Sequence, residues 1–256
     1  METIDLNQEI LEYVPAHWPD DYETLLAKLR WLMHTPYAHC KLVVRHYDDV
    51  LAAGGCLNFG ATGWISLMRS LDDAAWEQLA KALVAHLETA GTTTQSVLSP
   101  VADAAKWEAL GFVQVNEILR YSGGKFLQAT RDEVIHYETW HNMAILRMDQ
   151  RVFGEDRSTM LLEHTYLGQV YEDGKAITGY SLMLLGEGVI VSDDPAAGLE
   201  MQRWHFPLQD HILLPAGNDY AHAHLTERGY TTTVEGIRMV RGPVPELQVE
   251  KVFGWG

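Results

Sequence analysis

The sequence predicts an α/β protein of two similar domains in tandem, each with a mixed sheet of the α+β type. Three observations lead to this prediction. Helical and strand-like segments alternate along the chain, part of the first half recurs in the second, and 256 residues suffice for two domains of ordinary size. The first domain would comprise residues 1–124 and the second residues 133–256.

The internal repeat is clearest near the end of each half. Residues 107–124 align without a gap with residues 225–242, at an offset of 118 residues. Segments that begin at Ser70 and Val191 also resemble each other, at an offset of 121. Two landmarks in the same order and at nearly the same spacing favour a duplicated domain over a chance similarity of amphipathic segments. The identical pairs of the first alignment are Gly111/Gly229, Glu117/Glu235, Arg120/Arg238 and Gly124/Gly242.

The first half is predicted from apolar periodicity in the order helix, hairpin, strand, helix, strand, helix, strand. Asp72 and Asp73 favour a helix start, because the helix dipole stabilises acidic residues in the first turn. Gly111 favours a helix end, because glycine accepts the left-handed conformation there. The predicted segments are Asp20–Met33, Lys41–His46 and Leu51–Phe59 around a Tyr47-Asp48-Asp49 turn, Trp64–Met68, Asp72–Leu87, Gln95–Leu98, Ala102–Ala109 and Phe112–Tyr121.

The second half is predicted to repeat this order after a linker at residues 123–132. Asp194-Pro195 favours a helix start, because proline at the first helical position loses no hydrogen bond. The predicted segments are a helix over Asp149–Tyr166 with a break at Phe153-Gly154, a hairpin of Gly168–Tyr171 and Ala176–Leu185 around Glu172-Asp173-Gly174, a strand at Val189–Ser192, a helix from Pro195, a strand at Ile212–Leu214, a helix at Asn218–Glu227 ended by Gly229, and a strand at Tyr230–Arg241.

The composition excludes several classes of protein. Apolar residues make up 47% and charged residues 21%, which argues against a disordered chain, a coiled coil or a collagen-like fibre. The net charge of −16 argues against nucleic-acid binding, because an acidic surface repels phosphates. The same charge either attracts cationic substrates or serves only solubility.

Other features predict a cytoplasmic protein without membrane or metal sites. The N-terminus is acidic where a signal peptide would be basic, and no apolar run approaches the ~18 residues of a membrane span. Cys40 and Cys56 lie in or beside apolar runs, so buried free thiols are expected. His222 and His224 are two residues apart on a predicted helix and cannot bind one metal together.

Several short motifs recur in a recognisable order. The second half contains Phe153-Gly154-Glu155-Asp156-Arg157 and Gly179-Tyr180, then an Asn218 that opens a helix ending in Gly229-Tyr230. It ends with Arg238-Met239-Val240-Arg241-Gly242 and a Val252-Phe253-Gly254 tail. By the order and spacing of these motifs, residues 140–255 resemble the C-terminal domain of tandem GNAT acyltransferases. Residues 1–124 resemble a GNAT domain more loosely, through Trp107–Phe112.

The resemblance implies that acyl-CoA binds the second half. In this family the pantetheine arm lies between two splayed strands, which here would be Val189–Ser192 and Ile212–Leu214. The pyrophosphate lies at a helix N-terminus, where backbone N–H groups face it. Pro195 has no N–H to offer. The residues expected to hold acetyl-CoA or another acyl-CoA are Val189, Ile190, Val191, Ala196, Ala197, Gly198, Leu199 and Asn218.

Two departures from the family pattern affect this expectation. The phosphate loop of the family is glycine-rich, but residues 69–76 contain no glycine and include Asp72 and Asp73. The first half is therefore predicted to be a degenerate, non-binding copy. The proton-donating tyrosine of the family is replaced by Trp107 in the first half and by Leu225 in the second. Neither side chain protonates a leaving thiolate, so no catalytic residue is assigned.

The resulting hypothesis is an N-acyltransferase that moves an acyl group from acyl-CoA to an amine on a small molecule or peptide. Without a tyrosine acid, the transfer would depend on orientation and on backbone polarisation of the carbonyl. Tyr220 and Tyr230 are expected to serve packing or capping. The alternatives are a catalytically silent acyl-CoA-binding or scaffold protein of the same fold, and an interaction module without a small ligand.

Overall fold

The computed structural model describes residues 1–11, 18, 22–47, 49–125, 127–174 and 176–256. It confirms the α/β class, with strands and helices alternating along both halves. The helices of the described residues are α1 (Gln8–Leu11), α2 (Tyr22–His34), α3 (Asp73–Thr89), α4 (Ala104–Ala109), α5 (Asn142–Phe153), α6 (Ser158–Glu163), α7 (Pro195–His205) and α8 (Asp219–Thr226). The strands are β1 (Glu2–Asp5), β2 (Ala38–His46), β3 (Asp49–Phe59), β4 (Thr62–Ser70), β5 (Thr94–Ser99), β6 (Val113–Ser122), β7 (Val134–His136), β8 (Gln169–Asp173), β9 (Ala176–Leu182), β10 (Val189–Ser192), β11 (His211–Pro215), β12 (Thr231–Arg241) and β13 (Val252–Gly254).

The chain packs into two compact units that are not continuous in sequence. Unit 1 contains Met1–Ser99, Asp103–Gln114 and Met239–Val244, and unit 2 contains Pro100–Ala102, Val115–Arg238 and Pro245–Gly256. The strands β6 and β12, which the sequence repeat aligns, therefore each pass from one unit to the other. The predicted limits 1–124 and 133–256 follow the repeat rather than the packing, and they remain a prediction.

Unit 1 is built on a sheet in the order β1-β2-β3-β4-β5, followed by the end of β12. The strands β1 to β4 are antiparallel, whereas β4 and β5 are parallel. The helix α3 packs on β2, β3 and β4 through apolar side chains such as Trp76, Leu79 and Leu83, which are buried. Their spacing of three and four residues places them on one face of the helix.

Unit 2 contains a five-stranded sheet in the order β13-β10-β9-β8-β7. It also contains β11, which pairs antiparallel with β6, and the first part of β12. The helices α7 and α8 pack together, and both contribute to one apolar core. This core includes Tyr121, Ile190, Met201, Leu225 and Phe253. The C-terminal strand is therefore part of the interior of the unit.

The predicted elements of both halves are present, with shifted ends. The predicted helix Asp149–Tyr166 is instead α5 and α6, separated at Gly154, whose φ of 67° ends α5 in the left-handed conformation. The predicted Ala102–Ala109 helix begins as a 3₁₀ turn at Val101–Asp103. The predicted helix start at Asp20 and the turn residue Asp48 lie outside the described residues.

Four elements were not predicted: β1, α1, β7 and β13. Each has three or four residues. Segments of this length are too short to show a hydrophobic period, and β1, β7 and β13 owe their conformation to partner strands that are distant in sequence. Strand β13, which was not predicted, determines what the candidate site of unit 2 can hold.

Candidate functional site

In unit 1 the pairing between β4 and β5 ends before either strand does. Residues Thr62–Ile65 pair in parallel with Thr94–Val97, but this ladder stops there although β4 continues to Ser70. At the same level β4 contains Ser66 as an extra residue, at a β-bulge opposite Gly55 and its neighbour on β3. A bulge bends its strand and is common beside active sites. We name the space between the last residues of β4 and β5 the first groove.

The N-terminus of α3 follows directly after β4. The carboxylate of Asp72 caps this helix and accepts a hydrogen bond of 2.7 Å from the amide of Ala75. The carboxylate of Asp73 accepts a hydrogen bond of 2.7 Å from Lys106, and this bond raises the pKa of the lysine. Both acids, whose negative charge argued against phosphate binding, therefore have hydrogen-bond partners within the chain. The first-turn amides of Asp73 and Ala74 have no acceptor within the helix.

Trp107 is a core residue. Its side chain is 1% exposed and packs edge-on against Trp76 and Phe112, with ring centroids 4.9 and 5.1 Å away. An indole buried in this way has no proton to give a leaving thiolate. The structure thus agrees with the sequence that no acid stands at this position in the first half.

The second groove is the space between β10 and β11, where the sequence predicted the pantetheine arm. These strands do not pair with each other. Instead, β13 lies between them: it pairs antiparallel with β10, and the amide of Trp255 donates to the carbonyl of Leu213 on β11 at 2.8 Å. The predicted separation of the two strands is present, and the C-terminal strand fills it.

Several of the predicted cofactor residues lie against this strand. Val189, Ile190, Val191 and Ala197 are fully buried, and Asn218 is 2% exposed. Asp194 caps α7 through the amide of Ala196, and Leu199 is half-buried. Gly198 lies against the aromatic ring of Phe253, since a Cβ at residue 198 would be 2.4 Å from that ring. The contact of these eight residues with acyl-CoA remains a prediction; in this structure Ile190, Val191, Gly198 and Asn218 contact β13.

In the second half the position that the resemblance aligns with the proton-donating tyrosine is Leu225, and Tyr220 and Tyr230 lie near it in the sequence. Leu225 is fully buried. Tyr230 packs against Phe206 at 4.8 Å between ring centroids, and burial raises the pKa of its phenol to about 12. Tyr220 is 58% exposed. The prediction that Tyr230 serves packing is consistent with this contact.

A buried ionic cluster in unit 2 was not predicted as such. Arg157 donates two hydrogen bonds to Asp149, at 2.5 and 3.1 Å, and the hydroxyl of Tyr180 donates to the same carboxylate. Arg157 also lies 3.4 Å from the ring centroid of Phe153. Phe153, Arg157 and Tyr180 of this cluster belong to the Phe153–Arg157 and Gly179-Tyr180 motifs, so those motifs were the sequence signal that could have predicted it. Its members are at most 3% exposed and serve the interior of the unit.

Two further features bear on the kinds of site present. The described residues contain no group of three or more His, Cys, Asp or Glu side chains that could hold a metal ion. Among the same residues, none of the helices combines the length and the apolar character needed to span a membrane.

Comparison with solved structures identifies the fold. A protein of Pyrococcus horikoshii, provisionally described as an acetyltransferase, superposes with a TM-score of 0.81 at 16% identity, covering 99% of this chain and 93% of that one. A tandem GNAT protein from the clavulanic acid biosynthesis pathway superposes with a TM-score of 0.54 at 14% identity, covering 96% and 99%. A GCN5-related N-acetyltransferase from Sphaerobacter thermophilus gives a TM-score of 0.54 at 13% identity, covering 90% and 88%. No protein-family model matches the sequence, and no curated protein is significantly similar to it.

Proposed function

Because this chain has the fold of tandem GNAT acetyltransferases, we propose that it transfers an acyl group from acyl-CoA to an amine. The observation that carries the proposal is the first groove, where β4 and β5 separate beside a β-bulge and in front of a helix N-terminus. Acetyl-CoA is the donor we expect, and other acyl-CoA thioesters have the same pantetheine arm. The acceptor is an amine on a small molecule or peptide.

The two grooves differ in how well they fit this donor. The second groove is filled by β13, and the ring of Phe253 covers α7 at Gly198. In unit 1 the inner edge of β4 from Ser66 to Ser70 has no strand partner among the described residues. We therefore assign donor binding to the first groove, which reverses the order of preference that the glycine content of the two loops suggested.

The residues of unit 1 suit the separate parts of the donor. The amides of Asp73 and Ala74 would face the pyrophosphate, because a helix N-terminus attracts anions. Lys106 pairs with Asp73 at 2.7 Å and with Asp103 at 3.0 Å, so it offsets part of the negative charge beside this turn. The edge of β4 would accompany the pantetheine arm. The thioester supplies an activated acyl carbon, and the chain contributes its position relative to the amine.

Catalysis in this site would rest on positioning rather than on an acid. Holding an amine against an activated carbonyl makes the reaction effectively unimolecular. Backbone N–H groups that point at the carbonyl oxygen stabilise the charge that develops there. The buried Trp107 leaves protonation of the departing thiolate to solvent. The amine must be uncharged when it attacks, so its proton passes to water beforehand.

A second function is favoured by the same buried residues. Since Trp107 and Leu225 occupy the two positions of the family's acid, the chain would equally suit a silent acyl-CoA-binding or scaffold protein. The two functions share the donor site and differ only in turnover. Binding and turnover must therefore be measured separately.

The test combines acetyl-CoA binding by calorimetry with release of free CoA over a panel of primary amines. We expect saturable binding and amine-dependent CoA release, with the acylated amine detected by mass spectrometry. Binding without turnover on any amine would establish the silent function. Absence of acetyl-CoA binding would overturn both. Cys40 and Cys56 are buried, so thiol reagents report mainly the released CoA.

A further inference from the structure

The C-terminal strand β13 occupies the second groove as a third strand between two others. On one side it pairs with β10, in the register Ile190 to Gly254 and Val191 to Val252. On the other side the amide of Trp255 donates to Leu213 on β11. Both walls of the groove therefore bond to the main chain of the strand.

Two buried side chains hold the same strand by its main chain. The amide of Asn218 donates to the carbonyl of Val252 at 2.9 Å, and the amide of Gln202 donates to the carbonyl of Phe253 at 2.7 Å. Asn218 and Gln202 are 2% and 0% exposed. Asn218 also caps α8 through the amide of Ala221, at 3.0 Å. The groove thus presents polar groups to an extended chain of amides, which is also the chemical nature of a pantetheine arm.

The side chain of Phe253 closes the groove towards α7. Its ring lies where a Cβ on Gly198 would stand, and the ring is fully buried. Only glycine lets the helix backbone and the ring approach this closely. While Phe253 remains there, its ring covers Gly198 on the groove side of α7.

The strand is tethered immediately before it enters the groove. The amide of Gln248 donates to the carbonyl of Val152, and its side chain donates to the carbonyl of Arg151. Lys251 forms an ion pair of 3.0 Å with Asp193. Removal of residues 252–256 would therefore empty the groove and leave the tether in place.

We propose that β13 is a built-in occupant of the second groove, and that it takes the place an acyl-CoA arm would otherwise take there. The chain then binds one acyl-CoA, in the first groove, and the second groove gains binding capacity when β13 is removed. This inference rests on the proposed function for the identity of the ligand.

The test is the stoichiometry of acetyl-CoA binding in four chains: the full chain, a chain ending at Lys251, and each of these with Ala74→Asp. Ala74 lies exposed at the start of α3, so the aspartate places a negative charge at the first groove only. We expect one site in the full chain and two in the shortened chain. With Ala74→Asp, we expect a loss of at least tenfold in affinity in the full chain and one remaining site in the shortened chain.

The outcomes separate this proposal from the proposed function. Two sites in the full chain, or no gain on shortening, would overturn the role of β13. No site in the full chain but one in the shortened chain would overturn donor binding in the first groove and keep the role of β13. A synthetic peptide of residues 252–256 should compete with acetyl-CoA for the site that shortening creates.

Hydrogen exchange supplies a measurement on the intact chain, for the case that the shortened chain does not fold. The amide of Trp255 is bonded to Leu213, so it should exchange as slowly as the amides of β10. Saturating acetyl-CoA should leave this exchange unchanged. Exchange of Trp255 at the rate of exposed amides, or its acceleration by acetyl-CoA, would overturn a resident strand.

Discussion

The carboxylate of Asp149 accepts hydrogen bonds from both Arg157 and Tyr180 in the interior of unit 2, so we expect the stability of the fold to depend on its charge. Burial opposes the charge of the guanidinium, but the carboxylate keeps the pKa of Arg157 above its usual value. Burial, reinforced by Asp149, raises the pKa of Tyr180. We expect Asp149→Asn to lower the free energy of unfolding by about 3–5 kcal/mol, because it leaves a buried charge without its partner.

Tyr180→Phe offers a milder change to the same cluster. It removes one donor from Asp149, and we expect a loss of about 1–3 kcal/mol. Tyr171→Phe is the matched control, because the Tyr171 hydroxyl accepts a hydrogen bond from the exposed Arg131, its one partner among the described residues. That variant should lose less than about 1 kcal/mol. Equal losses for the two phenylalanine variants in denaturant unfolding would contradict the importance of the cluster.

His224 gives unfolding a dependence on pH. Burial, with repulsion from Arg228 and Arg203, lowers its pKa to about 4. The unfolded chain therefore takes up this proton near pH 6.5, whereas the folded chain does so only near pH 4, and stability falls as the pH drops between these values. We expect a contribution of about 1–3 kcal/mol. His224→Gln should lose less stability than the parent between pH 7 and pH 5, and an unchanged slope would contradict this.

Cys40 and Cys56 face each other across β2 and β3, with their sulfur atoms 2.9 Å apart. Both are buried free thiols, as predicted. Cross-strand partners lie within the range of Cα separations that a disulfide bridges. Because both thiols are buried, we expect oxidised glutathione to join them only slowly; one protein disulfide forms, and one oxidised glutathione takes up the two hydrogen atoms and becomes two reduced glutathione molecules. The closed loop should add about 3 kcal/mol to stability. Mass spectrometry of the chain oxidised in its native state shows whether the disulfide forms, and Cys40→Ala, which lacks one of the two thiols, is the control.

At the scale of elements, the proposed donor site depends on the N-terminus of α3, where the pyrophosphate would lie. Ala74→Asp should weaken acetyl-CoA binding at least tenfold, because it adds a negative charge beside the amides that face the pyrophosphate. Ala85→Asp is the matched control, since this residue is also exposed on α3 but lies three turns further on. Equal effects of the two variants would show that the site lies elsewhere.

The elements that the sequence predicted well carry their signals locally. Asp194 and Asn218 start α7 and α8, because the side chains of these two residues accept hydrogen bonds from amides two and three residues later. By contrast, the conformation of Val252–Gly254 depends on β10 and β11, which lie about forty to sixty residues earlier in the sequence. The sequence therefore predicted an open space between β10 and β11 and could not predict the strand that lies there. The partner of Asp73 was equally invisible, because Lys106 follows it by more than thirty residues, whereas Asp72 caps the amide of Ala75 only three residues later.

At the scale of the whole molecule, a net charge of −16 bears on the choice of acceptor. An acidic surface concentrates cations and repels the anionic donor, so we expect a primary amine as the acceptor. Its KM should rise with ionic strength, because salt screens exposed charges beyond ~10 Å at 0.1 M. Activity should also rise with pH as the free amine becomes available. An acceptor KM that does not respond to salt would remove the electrostatic argument.

The passage of β12 from unit 2 into unit 1 has a consequence for the order in which the protein can be made. Unit 1 includes Met239–Val244, and Thr94 at the start of β5 bonds to the carbonyl of Pro243. During synthesis the sheet of the first half therefore lacks the strand next to β5 until residues 239–244 have left the ribosome. A gene fragment that stops at residue 124 would encode a sheet that lacks its last neighbour. We expect residues 1–124 expressed alone to be less stable than the same residues in the full chain, because this fragment lacks Met239–Val244 of unit 1.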